Sequence, residues 1–519
     1  MRLVELILIF LIASTQRNAA QNAYRQLDDF DVNARINSDG ILFRNPGAGA
    51  PGWEFPKGSG KHSLASSGLW IGGFDQAGAL HFAAQTYRYG LSDFWCGPLQ
   101  AQSGAPFSSM QWDALWAVQS SDIDFHRQNF AQPGYVMPDG IQEWPGSSYQ
   151  GVQQIIAPFA DTDNNGQYNP DQGDYPLING DDAVYFVFND LYGTHTQSSG
   201  IPLGVEVYAL AYQVNSTESA LRNTVFVRYR IRNRSVFDYS NLRLGIFADF
   251  DIGNPYDDII GTRVDRHLIY AENGDSVDGN GMSGEYGLYS PSCGVTLLSH
   301  DAAHSIAWTN NSQATGNPSN FISSEYYNLI SGRWRDGNSL TFGGSGYQSG
   351  TVNADFIFPG DSDPATAGQI WNCNNPDDYR GLISTGPLSL PSGGFLTFEV
   401  AYTCALGLPG QSSLLLFDYV DRIRMYHQSQ VNETVERKKS GFSIYPNPCE
   451  ERVYFDNSVM TGETSIWFIM DLGGRVVTKG ELGGHSGSMD VSGLKSGLYL
   501  FCVYDNKGQE VFREKLLRR

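Results

Sequence analysis

The sequence predicts an all-β protein: a large antiparallel body of the β-sandwich type with long loops, followed by a small immunoglobulin-like β-sandwich. Three observations predict it. Apolar and polar residues alternate with a period of two in several segments, as antiparallel strands with one face in a core require. Stretches rich in Gly, Asn, Asp and Ser separate those segments. Aromatic residues make up 13% of the chain against 17% charged, which supplies too much apolar surface for a disordered polymer. At 519 residues the chain exceeds the size at which one core stops growing, so two or three domains are expected.

Taken in order, residues 1–20 read as a secretory signal peptide. Arg2 precedes the apolar stretch Leu6–Ala13, and small and polar residues follow to Ala20 and Gln21. That stretch is too short to span a bilayer as a helix, and no other segment reaches spanning length, so the mature chain has no transmembrane segment. The body runs from 21 to 428 and has room for two subdomains. Within it Val205, Val207, Ala209 and Ala211 alternate with their neighbours, as do Val225, Val227, Tyr229 and Ile231, then Leu242, Leu244, Ile246 and Ala248. These three consecutive runs, from Leu203 to Asp251, predict a meander. Phe398, Val400, Tyr402 and Cys404 repeat the pattern. The clearest helix is Ser412–His427, where Leu416, Val420 and Ile423 share a face and Asp418 stands four residues before Arg422. Residues 429–441 are polar and aperiodic and predict a linker open to proteases. The terminal domain occupies 442–519.

The formal charge of −21 excludes nucleic acid and anionic membrane surfaces as partners. The six cysteines form no CxxC pair and no zinc pattern. Cys96, Cys293, Cys373 and Cys404 allow three pairings that spacing does not rank; Cys449 and Cys502 could join the ends of the terminal domain.

The sharpest site signal is the run from Asp161 to Pro176. Asp161, Asp163 and Asn165 occupy alternate positions, Gly166 permits a sharp bend, and the Gln167 carbonyl follows, which is the oxygen set a hard cation wants. This spacing resembles the calcium loops of EF-hands, dockerins and thrombospondin type 3 repeats. It departs from the EF-hand at the twelfth place, where Gln172 stands instead of Glu, so Asp171 or Asp174 is expected to close the site. Pro170 bars the helix that would follow. The competing reading is an Asx-rich turn held by its own hydrogen bonds. A second acidic group comprises Asp249, Asp251, Asp257, Asp258 and Asp265, and a third runs from Asp275 to Asn280. These read as further metal sites, as a paired-carboxylate site for glycoside hydrolysis at Asp249 and Asp251, or as solvated loops.

His300 and His304 have helical zinc spacing but lack the intervening Glu. His195 follows a strand without a visible nucleophile, and Ser345 is not a nucleophile elbow. Trp70, Trp95, Trp112, Trp116, Trp144, Trp308, Trp334 and Trp371 lie mostly beside small polar residues and suggest either core anchors or a sugar-stacking surface.

The terminal domain carries several ordered motifs: Tyr445-Pro446-Asn447-Pro448, Asp471 before Gly474-Arg475, Leu494 before Gly497 and Tyr499, and a basic close beginning at Lys515. In that order they resemble the type A C-terminal sorting domain of Bacteroidetes type IX secretion cargo. The resemblance implies an all-β tail that docks on the translocon and is removed by a sortase-like peptidase near the linker, with glycolipid attachment at the new end. Ser67–Gly73, Ala157–Asp161 and Gly173–Pro176 resemble secreted Bacteroidetes proteins of unassigned activity that carry the same tail. The combined reading is a secreted or cell-surface, non-catalytic, calcium-stabilised protein that adheres to or binds an extracellular polymer such as a glycan. The alternative is an extracellular hydrolase acting on polysaccharide or peptide.

Overall fold

The structure, a computed structural model, describes residues 23–101, 103–366, 368–437, 442–457, 465–471, 476–482, 486–504 and 510–519. The expected signal peptide lies outside them. Strands account for 41% of the chain and helices for 12%, so the class is all-β.

Two antiparallel sheets form the body. The first has eight strands, in the order Tyr24–Leu27, Asn33–Asn37, Trp53–Glu54, His62–Phe74, Tyr239–Phe250, Tyr379–Leu390 and His304–Thr309, with Leu80–Ala84 also on His62–Phe74. The second has nine, in the order Asp258–Arg263, Leu268–Asn273, Ser292–Leu297, Phe395–Ala405, Thr224–Asn233, Val205–Gln213, Asp182–Asn189 and Trp95–Cys96, with Trp116–Gln119 also on Asp182–Asn189. Their facing sides share one core that includes Leu69, Ile246 and Ile383 from the first sheet and Val207, Tyr229 and Val400 from the second. Tyr402 and Ser67 hydroxyls meet across the gap at 2.9 Å.

The predicted alternation holds along Thr224–Asn233. Val225, Val227, Tyr229 and Ile231 enter the central core, while Arg228, Arg230 and Arg232 are half-buried on the other face. The predicted meander holds only in part. Val205–Gln213 and Thr224–Asn233 form a hairpin, with Ala209 opposite Tyr229. Tyr239–Phe250 crosses to the other sheet, where it pairs with His62–Phe74 and Tyr379–Leu390. Period-two patterning reports a buried face; it does not report which sheet supplies the neighbours.

The outer face of the second sheet is covered by a loop-rich layer spanning residues 97–180. Trp112, Trp116, Ile141, Trp144, Ile156 and Phe159 form a second core there with Tyr185, Leu210, Tyr212 and Phe226. The helix Ser412–Arg437 seals the same face through Leu416, Val420 and Ile423, which are fully buried. It runs ten residues beyond the expected His427, into the segment read as linker. No Gly or Pro interrupts it.

The tail packs a three-stranded sheet (Phe442–Tyr445, Arg452–Asn457, Ser486–Asp490) and a four-stranded sheet (Val476–Leu482, Ser465–Met470, Gly497–Tyr504, Glu510–Arg518). Ile444, Val453, Phe455, Ile469, Phe501 and Val503 are among its core residues.

Candidate metal centre and sorting tail

The acidic loop is a hairpin connection. Phe159–Ala160 pairs antiparallel with Tyr175–Pro176, so residues 161 and 174 start and finish side by side. Tyr168 pins its middle: its ring meets Phe159 edge-on at 5.4 Å, its hydroxyl donates to Ile141 O at 2.7 Å, and its amide donates to Ser147 Oγ. Two left-handed residues, Asn164 (φ 59°) and Gly166 (φ 76°), turn the chain back on itself. Asn tolerates that conformation better than most residues, and Gly adopts it without cost.

Folded this way, the loop brings carboxylate oxygens of Asp161, Asp163 and Asp174 within 4.8 Å of one another. Asp174 is fully buried; the other two are more open. Backbone amides already aim at the cluster. Asp161 accepts from Asn165 N (3.1 Å) and Gly166 N (2.7 Å), and Asp174 accepts from Thr162 N (2.7 Å), Thr162 Oγ1 (2.9 Å) and Asn169 N (2.8 Å). Asn165 Nδ2 donates to Asp163 Oδ2 at 2.7 Å, while its own Oδ1 accepts from Gln167 N. Each carboxylate offers about four lone-pair sites, so this network orients the oxygens without exhausting them. The donor set of three carboxylates is the chemistry of a hard cation. Between the two expected closing residues, Asp174 joins the cluster and Asp171 does not. Asp171 is exposed on the 3-10 turn Pro170–Gln172.

The second acidic group divides. Asp249 faces Arg380 directly across two paired strands, 3.2 Å away, and Arg380 also holds Asp378 at 2.7 Å and donates to the Tyr87 hydroxyl at 3.0 Å. Burial pushes the Asp249 carboxyl up to about 7 despite Arg380, and Asp251 up to about 6. Tyr87 is stacked with Tyr89, whose ring is 63% exposed, and the Arg44 guanidinium lies 5.3 Å from that ring. Asp257, Asp258 and Asp278 gather elsewhere, around the start of the strand Asp258–Arg263, and accept backbone bonds from Gly279, Ile252 and Asn254. Asp265 pairs with Arg263 and Arg266 on the surface.

Other sequence candidates resolve as structure. His195 is buried with its ring nitrogens against Phe82 O and Asp190 O, which leaves neither free for proton transfer. His304 opens a strand and His300 precedes it in a turn, so the two are not on a helix. Seven of the eight tryptophans are no more than 5% exposed and Trp95 is half-buried, so they form core, not a sugar-stacking surface. Sequence reasoning missed the buried pair Arg234–Glu206 (2.7 Å) and the chain Arg228–Glu399–His427. Arg228 and Glu399 are cross-strand partners separated by 171 residues, and no local pattern signals that.

In the tail, Asn447 of the first motif clasps the last strand. Asn447 Nδ2 donates to Lys515 O at 2.5 Å and its Oδ1 accepts from Leu517 N at 3.0 Å. Cys449 N donates to Leu517 O and Arg519 N to Cys449 O, which zips the first segment of the domain to its last strand. The bonds before Pro446 and Pro448 are both cis, and Tyr445 stacks on Tyr454. Leu494 enters the core, Gly497 opens the strand to Tyr504, and the Tyr499 hydroxyl donates to Lys495 O. Asp471 directly follows the strand Ser465–Met470; Gly474 and Arg475 lie outside the described residues. Residues 443–517 match the family model of the secretion system C-terminal sorting domain. The chain is a type IX secretion cargo. Its sorting tail makes it a secreted or outer-surface protein that engages the type IX machinery.

The family match is confined to the tail of this cargo. No curated protein sequence matches the chain. Among solved structures the cargo is similar to a polysaccharide lyase at 10% identity with a TM-score of 0.19, over 60% of this chain. The aligned region spans 34% of the lyase, and a likeness at that level transfers neither fold nor activity.

Proposed function

We propose that the body is a non-catalytic, calcium-stabilised module that binds an extracellular polymer once the tail has delivered it outside the cell. The observation that carries the calcium reading is the convergence of Asp161, Asp163 and Asp174 in a loop already shaped by its own amides. Bound there, the ion would fasten the loop to the layer that covers the second core, through Phe159, Tyr168 and Tyr175. The polymer reading draws on the exposed Tyr89, whose hydroxyl accepts from Arg44, a flat ring with a polar edge that suits a sugar chain. The sortase-like peptidase would act before Phe442 and release the tail.

Calcium titration of the full chain, read by thermal unfolding, tests the metal. Calcium at a hundredfold excess over Kd stabilises a one-site protein by about 2.7 kcal/mol, and chelation reverses it. Asp163→Ala should abolish the shift; an unchanged midpoint on chelation in the parent protein ends the calcium reading. A glycan array on the purified body tests the polymer.

A second reading, an extracellular hydrolase, draws on Asp249 and Asp251, whose raised carboxyl groups sit beside Arg380 and Tyr87. A polysaccharide and peptide hydrolase screen with Asp249→Asn as control separates it: turnover by the parent and none by the variant would replace the non-catalytic reading.

A further inference from the structure

Six cysteines enter an exported protein, and the fold distributes them unevenly. Cys96 lies against Ser38 Oγ (3.2 Å) and Asp113 Oδ1 (3.6 Å), and Cys373 against the Tyr379 hydroxyl (3.4 Å). In the tail, Cys449 belongs to the main core with Phe501 and Val503, whereas Cys502 lies between those two in sequence and on the opposite face of their strand, with Phe468 and Tyr504. Alternation along a strand therefore separates the two tail thiols that the sequence suggested as a pair.

Cys293 and Cys404 differ from all of these. They are directly opposite each other on the neighbouring strands Ser292–Leu297 and Phe395–Ala405. Cys404 N donates to Asn223 O on the far side, so toward Cys293 its backbone makes no ladder bond. The two residues thus form a non-hydrogen-bonded antiparallel pair, the kind whose Cα atoms approach to about 4.5 Å with side chains closest. That separation lies inside the range a disulfide spans, about 4.4–6.8 Å. Their Sγ atoms stand 2.7 Å apart, closer than two unbonded sulfurs rest, and both residues are fully buried.

We infer that Cys293 and Cys404 form a cross-strand disulfide in the exported protein. The bond ties the centre of the second sheet to its outer half, since Ser292–Leu297 bridges Phe395–Ala405 to the strands at Leu268–Asn273 and Asp258–Arg263. Its formation needs a two-electron oxidant of the protein-disulfide class. One thiolate attacks the oxidant's disulfide, and the second thiolate displaces the oxidant as a dithiol. The two protons shed by the thiols and the two electrons both end on the oxidant, whose own disulfide is the bond broken. Because both sulfurs are buried in the finished sheet, exchange occurs before these strands close.

Peptide mapping of the exported protein, denatured in alkylating agent without reductant, tests this. Trypsin should leave the peptide containing Cys293 joined to that containing Cys404, in a species that disappears on reduction, while Cys373 is alkylated. The double variant Cys293→Ala, Cys404→Ala should lose the joined species, and its unfolding midpoint should be the same with and without reductant. The parent's midpoint should fall when it is unfolded and refolded in reductant. Alkylation of both Cys293 and Cys404 in the exported protein, or joining of either to a different cysteine, would overturn the assignment. Calcium plays no part in this readout, so its outcome is independent of the metal reading.

Discussion

Body and tail are both two-sheet sandwiches built from alternating strands, yet they treat charge in opposite ways. The body buries Glu206 with Arg234, Asp249 with Arg380, and Glu399 between Arg228 and His427. Among the described residues of the tail no polar or charged residue is buried, and its ends are held by backbone bonds and the Asn447 amide. A label that must be recognised, and in our reading later removed, can be written in short motifs on a plain apolar core. The body keeps its specificity in ion pairs between residues far apart in sequence. Losing one partner of such a pair strands a charge in a poorly solvating interior.

The largest effect tests the division itself. Deletion of 442–519 should stop export completely while the body still folds, so fractionation should find it in the periplasm; normal delivery to the surface or medium would erase the distinction. Next comes the buried pair. Glu206→Ala leaves the Arg234 guanidinium, only 7% exposed, without its carboxylate, and should destabilise the body by about 3–5 kcal/mol in denaturant unfolding. The tail's own transition should stay where it was. In the converse experiment, Asn447→Ala removes the side-chain bonds to the last strand and should cost the tail about 1–3 kcal/mol, with the body's transition unmoved.

The smallest effect is a slope with pH. Burial, with Asp29 and Asp28 nearby, pushes Asp182 up to about 7, as burial does Asp249. An unfolded aspartate releases its proton near 3.9. The folded body therefore binds more protons between these values, and its stability should fall as pH rises from about 4 to 7. Glu399 acts with the other sign. Burial alone would raise it, but Arg228 and His427 hold it at about 2, so its contribution is present above the ordinary glutamate range and lost as pH falls toward 2. Thermal scans across pH should thus place the body's optimum on the acidic side of neutrality. In the tail, Asp490 is held below its ordinary range by bonds from Ser492, so acid should weaken that domain.

Much of this was legible in the chain. Val225, Val227, Tyr229 and Ile231 enter the core as their spacing requires, because a strand's side chains must alternate. Leu416, Val420 and Ile423 seal the helix onto the second sheet for the analogous reason at helical period. The acidic loop was visible because a cation's ligands can come from one short segment, so sequence spacing and spatial spacing coincide there.

Sequence alone thus determined the all-β class, the acidic loop and the sorting tail, since each is encoded within a few consecutive residues. Tertiary structure decided which sheet received Tyr239–Phe250, that Asp174 rather than Asp171 joins Asp161 and Asp163, that the tryptophans are core, and that Cys293 faces Cys404. Those outcomes depend on which strands become neighbours. That choice is made by the packing of whole faces, a property no single segment contains.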